Sequence, residues 1–153
     1  MRAHHFGAME ASTPVRKFKD VDPAVRKRMQ RNRRSDTKPE MIVRRLAHRL
    51  GYRFRLHRKD LPGTPDLVFP SRRKVIMVHG CFWHQHPGCK LAKLPRLRPE
   101  YWLPKLKRNV ERDARNLEHL RREGWTPHVV WECETRTPDT LSKTVTAFLD
   151  GKE

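Results

Sequence analysis

Lys74-Val75-Ile76-Met77-Val78-His79-Gly80-Cys81-Phe82-Trp83-His84 joins an apolar strand to a run of reactive side chains. Lys74 to His79 reads as a strand, and so does the shorter run Asp66-Leu67-Val68-Phe69 before it. Pro70 to Arg73 is a tight connection, which makes the two strands a hairpin. If the hairpin turns around Arg72, antiparallel pairing sets Asp66 opposite Val78, with His79 beside that pair. The start of one strand and the end of the next then share one edge of a sheet.

Outward from the hairpin, the elements alternate. Upstream, Thr37-Lys38-Pro39-Glu40 has the form of a capping box with Pro in the first turn. Ile42, Val43, Leu46 and Leu50 then recur at helical spacing, Gly51 stops the helix, and Arg44, Arg45, His48 and Arg49 are left toward solvent. Tyr52 to His57 alternates with period two, which predicts a strand with Tyr52, Phe54 and Leu56 inward. Leu61 to Pro65 is a turn. Downstream, Gly80 to Pro99 is a long irregular stretch, of a length that is uncommon unless functional or pinned. A helix is predicted over Leu103 to Glu123, with Leu106, Val110, Leu117 and Leu120 buried and Gly124 ending it. Trp125 to Trp131 is an apolar strand, and Pro138 to Leu149 a last amphipathic helix with Leu141, Val145, Phe148 and Leu149 inward. The order predicts an α/β fold in which helices flank a small mixed sheet. Residues 1–21 read as a flexible basic tail and 22–150 as a single domain. A basic arm follows Asp22-Pro23, carrying Met29, Arg31, Arg33 and Arg34.

The charge points to a polyanion. In 153 residues, 35 Lys and Arg face 17 Asp and Glu, for a net +18. Nucleic acid is the commonest partner of such a surface. An anionic membrane is the other, but no apolar run approaches the roughly 18 residues of a spanning helix. The N-terminus has no apolar core of a signal peptide. Three cysteines, an odd and small number, argue against a disulfide scaffold and for a reducing cytoplasm. A protein that only binds nucleic acid shares all of these properties.

Chemistry concentrates in two places. Asp66 opens a strand after Pro65, where a carboxylate near strand-end carbonyls can hold Mg²⁺, the ion that suits phosphodiester hydrolysis. Glu40 is placed to add a second acid. The plainer alternative is that Asp66 caps a turn and Glu40 completes its capping box. Cys81, His86 and Cys89 are soft and borderline metal ligands at short spacing, and Cys133 lies just past the final strand, so a closed Cys₃His zinc site, structural in role, is expected. Three unrelated thiols are the alternative. His79 and His84 stay outside that shell, and an imidazole near a metal-bound phosphate deprotonates water at neutral pH. Asp113 is placed to orient such a histidine through its other nitrogen. Phe82, Trp83 and Trp102, set among cations, are candidate wedges between base pairs, and Met29 is a further one. Trp125 and Trp131 are read as ordinary core.

Asp36-Thr37-Lys38-Pro39-Glu40, Leu61-Pro62-Gly63-Thr64-Pro65-Asp66, Val78-His79-Gly80-Cys81-Phe82-Trp83-His84, Asn109-Val110-Glu111-Arg112-Asp113 and Val130-Trp131-Glu132-Cys133 together resemble the very short patch repair (Vsr) endonucleases. The resemblance spans roughly residues 22 to 136, with the motifs in order. It implies a restriction-endonuclease-like fold related to the PD-(D/E)XK nucleases. It also implies a bacterial, cytoplasmic enzyme, at the nucleoid during repair, that nicks the thymine strand 5′ of T in a T:G mismatch with Mg²⁺. By the same resemblance Asp66 and the main-chain carbonyl of Val78 hold Mg²⁺. His84 is the general base steadied by Asp113, His79 assists at the phosphate, and Glu40 is an accessory acid. Cys81, His86, Cys89 and Cys133 hold structural zinc, and Phe82, Trp83 and Trp102 intercalate beside the mismatch. Double-stranded mismatched DNA is the expected partner, and a monomer is expected because each encounter needs one cut. A zinc-stabilised module that only binds DNA and a nuclease that cuts both strands are the alternatives. Met77 and His79 stand where related restriction nucleases often carry an acid and a lysine.

Overall fold

A computed structural model describes residues 35–152, together with Pro23, Ala24 and Lys27. The chain divides into two compact units, Met1–Arg33 and Arg34–Glu153, and the sheet with its flanking helices belongs to the second. Most of the predicted tail and basic arm, Met29 included, lies outside the described residues.

In chain order the elements are α1 (Lys38–Arg49), β1 (Arg55–Leu56), β2 (Leu67–Phe69), β3 (Lys74–His79), α2 (Pro99–Arg122), β4 (Thr126–Trp131) and α3 (Pro138–Asp150). The sheet order is β1-β2-β3-β4. The first two pairings are antiparallel and the third, β3 with β4, is parallel. A parallel neighbour needs a crossover, which α2 supplies. This is the mixed α/β arrangement that the sequence predicts.

Strand alternation sorts the core into two faces. Leu67, Phe69, Ile76 and Val130 pack with Val43, Leu46 and Ala47 of α1 and Leu141, Val145 and Leu149 of α3. Val68, Val75 and Met77 pack on the opposite face with Leu61, Leu120 and Trp125. Leu67 and Phe69 are fully buried, and truncating either to alanine costs about 2–5 kcal/mol. His79 shares the parity of Val75 and Met77, and Asp66 that of Val68, so both belong to the α2 face.

Four details differ from the sequence reading. The hairpin register is Leu67↔Ile76, Val68↔Val75 and Phe69↔Lys74. Continued by one step, it puts Asp66 opposite Met77, not Val78. The cause is the loop, a 3₁₀ turn at Pro70–Arg72 closed by Arg73 in the left-handed region, which is centred half a residue earlier than assumed. The strand predicted over Tyr52–His57 shrinks to Arg55–Leu56: no ladder pairing extends to Tyr52–Phe54, and His57 turns to φ +45° although its N–H still donates to the Asp66 carbonyl. Tyr52 and Phe54 still reach the core through edge contacts with Phe69, but Leu56, at the sheet edge, is exposed. Helix α2 begins at Pro99 rather than Leu103 and carries Pro104 inside it. Its 24 residues rise about 36 Å, well beyond the roughly 20 Å of a six-residue strand. It meets the loop through Trp102, Asn109 and Asp113 and the sheet near Leu117 and Leu120, while Val110, expected inside, lies beside that stripe and is exposed.

Gly63 fixes the approach of the Leu61–Pro65 turn to α2. It has φ +72°, and a Cβ there would lie 2.9 Å from Asn116 Nδ2 and 3.0 Å from Met77 Cε. Only glycine lets the turn sit this close, and the turn delivers Asp66 to the sheet.

Candidate active site and metal centres

Asp66 sits immediately before β2 with one carboxylate oxygen already committed. Its Oδ2 accepts the main-chain N–H of Val78 at 2.7 Å. The structure thus brings Asp66 and Val78 together despite the changed register, because a side chain spans the step that pairing does not. Oδ1 faces His57 Nε2 at 3.9 Å. Burial lifts the Asp66 pKa to about 6, and the buried Glu40 carboxylate adds to the rise. The Val78 amide and the imidazoles of His57 and His84 pull the other way. Asp66 is therefore an under-neutralised carboxylate that gains from a cation.

Glu40 is only 2% exposed. Thr37 Oγ1 accepts the Glu40 N–H at 3.3 Å, so the helix cap forms as predicted. The Glu40 side chain does not return the bond. It turns to His57, with Oε1 2.5 Å from Nε2, and to Arg44 at 3.5 Å.

The two imidazoles of His79 and His84 form one unit. His79 and His84 stack with ring centroids 3.9 Å apart and planes 8° from parallel. His84 Nδ1 lies 2.5 Å from Asp113 Oδ2, so Nδ1–H donates to Asp113 and Nε2 keeps its lone pair. His79 is buried, and burial first and the His84 charge second push its pKa down to about 4. It is neutral at neutral pH, a hydrogen-bonding group and not a proton acceptor.

Cys81, His86, Cys89 and Cys133 present ligand atoms all within 4.8 Å of one another. His86 Nδ1 is 3.7 Å from Cys81 Sγ and 3.4 Å from Cys133 Sγ. Tetrahedral zinc with ordinary bond lengths separates sulfur from nitrogen by about 3.5 Å, so the donor set fits. Burial raises the Cys81 and Cys133 thiols, whereas main-chain N–H groups, that of Leu91 foremost, lower Cys89. The parallel β3–β4 pair makes this possible: His79↔Trp131 is its last register pair, so Cys81 and Cys133 both leave the same end of the sheet. Trp131, read as ordinary core, stacks on the His86 ring at 4.3 Å and 9° and orients it. Asp66 belongs to no group of three such ligands among the described residues. That suits Mg²⁺, which takes one or two carboxylates and completes its shell with water, carbonyls or phosphate.

Phe82, Trp83 and Trp102 form one aromatic cluster, with centroids 5.1 Å (Phe82–Trp83), 5.4 Å (Phe82–Trp102) and 5.9 Å (Trp83–Trp102) apart. Trp102 is buried, whereas Phe82 and Trp83 are half-buried. The loop is braced by Asn109 Nδ2, which donates to the Trp83 carbonyl at 3.1 Å.

A family model described as DNA mismatch endonuclease Vsr matches residues 19–90. Over 122 residues the chain is 54% identical to the type II nicking enzyme V.XorIIP of Xanthomonas oryzae pv. oryzae, an alignment of 80% of this chain and 89% of the relative. The chain belongs to the Vsr family of DNA mismatch endonucleases. The DNA mismatch endonuclease Vsr of Escherichia coli K12 is 45% identical over 109 residues, covering 69% of each chain. The type II nicking enzyme V.NmeAIP of Neisseria meningitidis is 39% identical over 101 residues, 66% of this chain and 71% of its own. As a Vsr endonuclease the protein hydrolyses DNA phosphodiester bonds, nicking DNA in mismatch repair, and its family points to a divalent metal. No helix among the described residues is long and apolar enough to cross a membrane.

The structure gathers two groups. Asp66, Val78, Glu40 and His57 meet at the start of β2, and His79, His84 and Asp113 meet beyond the end of β3; the His84 charge acts on Asp66, which links them. The sequence reading missed His57. Period-two alternation assigned it to a strand, and nothing in the sequence signals its left-handed backbone.

Proposed function

We propose that this endonuclease nicks the thymine strand of a T:G mismatch, 5′ of the T, with Mg²⁺ held by Asp66 and the main-chain carbonyl of Val78. The observation that carries the reading is the Asp66 carboxylate, fixed by the Val78 amide and electrostatically coupled to the His84–Asp113 pair. When bound, Mg²⁺ supplies Lewis acidity to the phosphoryl oxygen and charge neutralisation to the leaving alkoxide. His84 Nε2 takes the proton of the attacking water, and Asp113 stabilises the imidazolium that results. His79, kept neutral by burial, donates a hydrogen bond toward the phosphate. Glu40 acts as an accessory acid behind Asp66.

Cys81, His86, Cys89 and Cys133 hold a structural zinc that fixes the loop bearing His84. Phe82 and Trp83 enter the stack beside the mismatch, supported from below by Trp102, and a mismatched pair costs less to open. Met29 is proposed as a further wedge on the basic arm. The lysines and arginines bind phosphates in a salt-dependent way. A metal carboxylate at the start of a strand in a mixed sheet supports kinship with the PD-(D/E)XK nucleases. Residues 22–150 are proposed as one endonuclease domain behind a 1–21 tail, acting as a monomer in the bacterial cytoplasm and on the nucleoid during repair.

A panel of end-labelled duplexes carrying each mismatch, with Mg²⁺ or with EDTA, tests the proposal. Mg²⁺-dependent cleavage of the thymine strand alone in T:G duplexes is expected. Equal cutting of both strands, or of perfectly paired duplex, would refute it.

A further inference from the structure

His57 lies between the two carboxylates and is tied to both. Its main-chain N–H donates to the Asp66 carbonyl at 3.3 Å, and its Nε2 is 2.5 Å from Glu40 Oε1 and 3.9 Å from Asp66 Oδ1. It reaches them from a backbone with φ +45°. Left-handed geometry costs a non-glycine residue about 1–2 kcal/mol, and where such strain persists near reactive groups it serves their placement. An extended residue at this point would continue β1 and carry its ring along the strand.

The alternatives for holding the two acids are few. Asp66 Oδ2 is bound by the Val78 amide, so Oδ1 is the oxygen whose direction is otherwise unset. Glu40 is almost fully buried; among the described residues its carboxylate also meets the Arg44 guanidinium, 3.5 Å away, and has the Asp36 carboxylate within 4.8 Å. Removing the imidazole leaves the buried Glu40 carboxylate and the half-buried Asp66 carboxylate facing each other across the space it filled, and they would turn apart.

We infer that His57 is a positioning residue, which joins Glu40 of α1 to Asp66 at the start of β2 and so sets the affinity of the Asp66 site for a divalent cation. The inference rests on the reading of Asp66 as the cation ligand. Partners that orient a metal-binding carboxylate change metal affinity by about 10–100-fold when lost.

Mn²⁺ binding, followed by electron paramagnetic resonance on the full-length zinc-loaded protein without DNA, separates the two ideas. His57→Asn and His57→Gly tolerate the left-handed backbone but do not span to Glu40, whereas His57→Gln restores most of the reach with an amide. Expected are an affinity weaker by about tenfold for His57→Asn and His57→Gly, recovery to within about twofold of the parent for His57→Gln, and loss of binding for Asp66→Ala. Unchanged DNA affinity in the absence of divalent cation, with thermal midpoints close to the parent's, would mark the effect as local. If Asp66→Ala binds Mn²⁺ like the parent, the reading of Asp66 is wrong. If Asp66→Ala loses Mn²⁺ but His57→Asn and His57→Gly retain parental affinity, or if His57→Gln is as weak as they are, the His57 inference alone is overturned.

Discussion

Replacing Asp66 with asparagine is expected to end nicking and, near neutral pH, to make the protein more stable. The Asp66 side chain is 19% exposed, and its pKa rises from 3.8 to about 6, chiefly through burial. A carboxyl whose folded pKa lies above its unfolded value stabilises the fold while protonated, and that stability is lost as pH rises from the unfolded value through about 6. The shift corresponds to about 3 kcal/mol at neutral pH. Asparagine still offers an oxygen to the Val78 N–H but forfeits a charge-assisted bond, which returns about 1 kcal/mol. Urea denaturation without added Mg²⁺ should therefore find Asp66→Asn more stable than the parent by about 2 kcal/mol near pH 7.5, with the difference vanishing near pH 4.5. His79, whose pKa is pushed down to about 4, destabilises both proteins as pH falls below 6.5 and cancels in the comparison. Saturating Mg²⁺ should reverse the ranking, since only the parent binds it. A difference that does not change with pH, or one that favours the parent near pH 7.5 without metal, would refute the reasoning.

The other predictions concern single groups. Asp113→Asn frees His84 to adopt the wrong tautomer, and single-turnover kinetics should show a fall of about 10–100-fold in the nicking step with DNA affinity unchanged. Elemental analysis should find one zinc per chain; Cys133→Ser should lower zinc content and shift the thermal midpoint down, and a metal-free parent would remove the zinc site from consideration. Phe82→Ala and Trp83→Ala should narrow the gap between mismatched and paired duplex affinities while leaving the slope of log affinity against log salt as it was, because neither carries charge.

Much of the layout follows from local chemistry along the chain. Thr37 and Pro39 place α1, the two apolar runs around Pro70 form the hairpin, and Cys81, His86 and Cys89 mark the loop, all visible without coordinates. The pairing of His84 with Asp113 was legible as a possibility, because the helix period turns Asp113 inward. What escaped were facts that depend on one backbone angle or on three-dimensional crowding. Arg73 in the left-handed region moved the hairpin by one residue. Glu40 obeyed the capping rule with its amide and broke it with its carboxylate, because a buried acid seeks His57 and Arg44 ahead of a helix end. Val110 kept the helical period yet stayed outside, since the stripe that meets the loop runs through Asn109 and Asp113 beside it.

Because β3 and β4 run side by side in the same direction, the chain departs from the sheet twice at one rim, and Cys81 and Cys133 mark the two departures. Residues 93–98 follow that cluster and carry none of the groups assigned to bond breaking. Lengthening or recomposing them would leave both departures from the sheet, and the groups beside them, where they are.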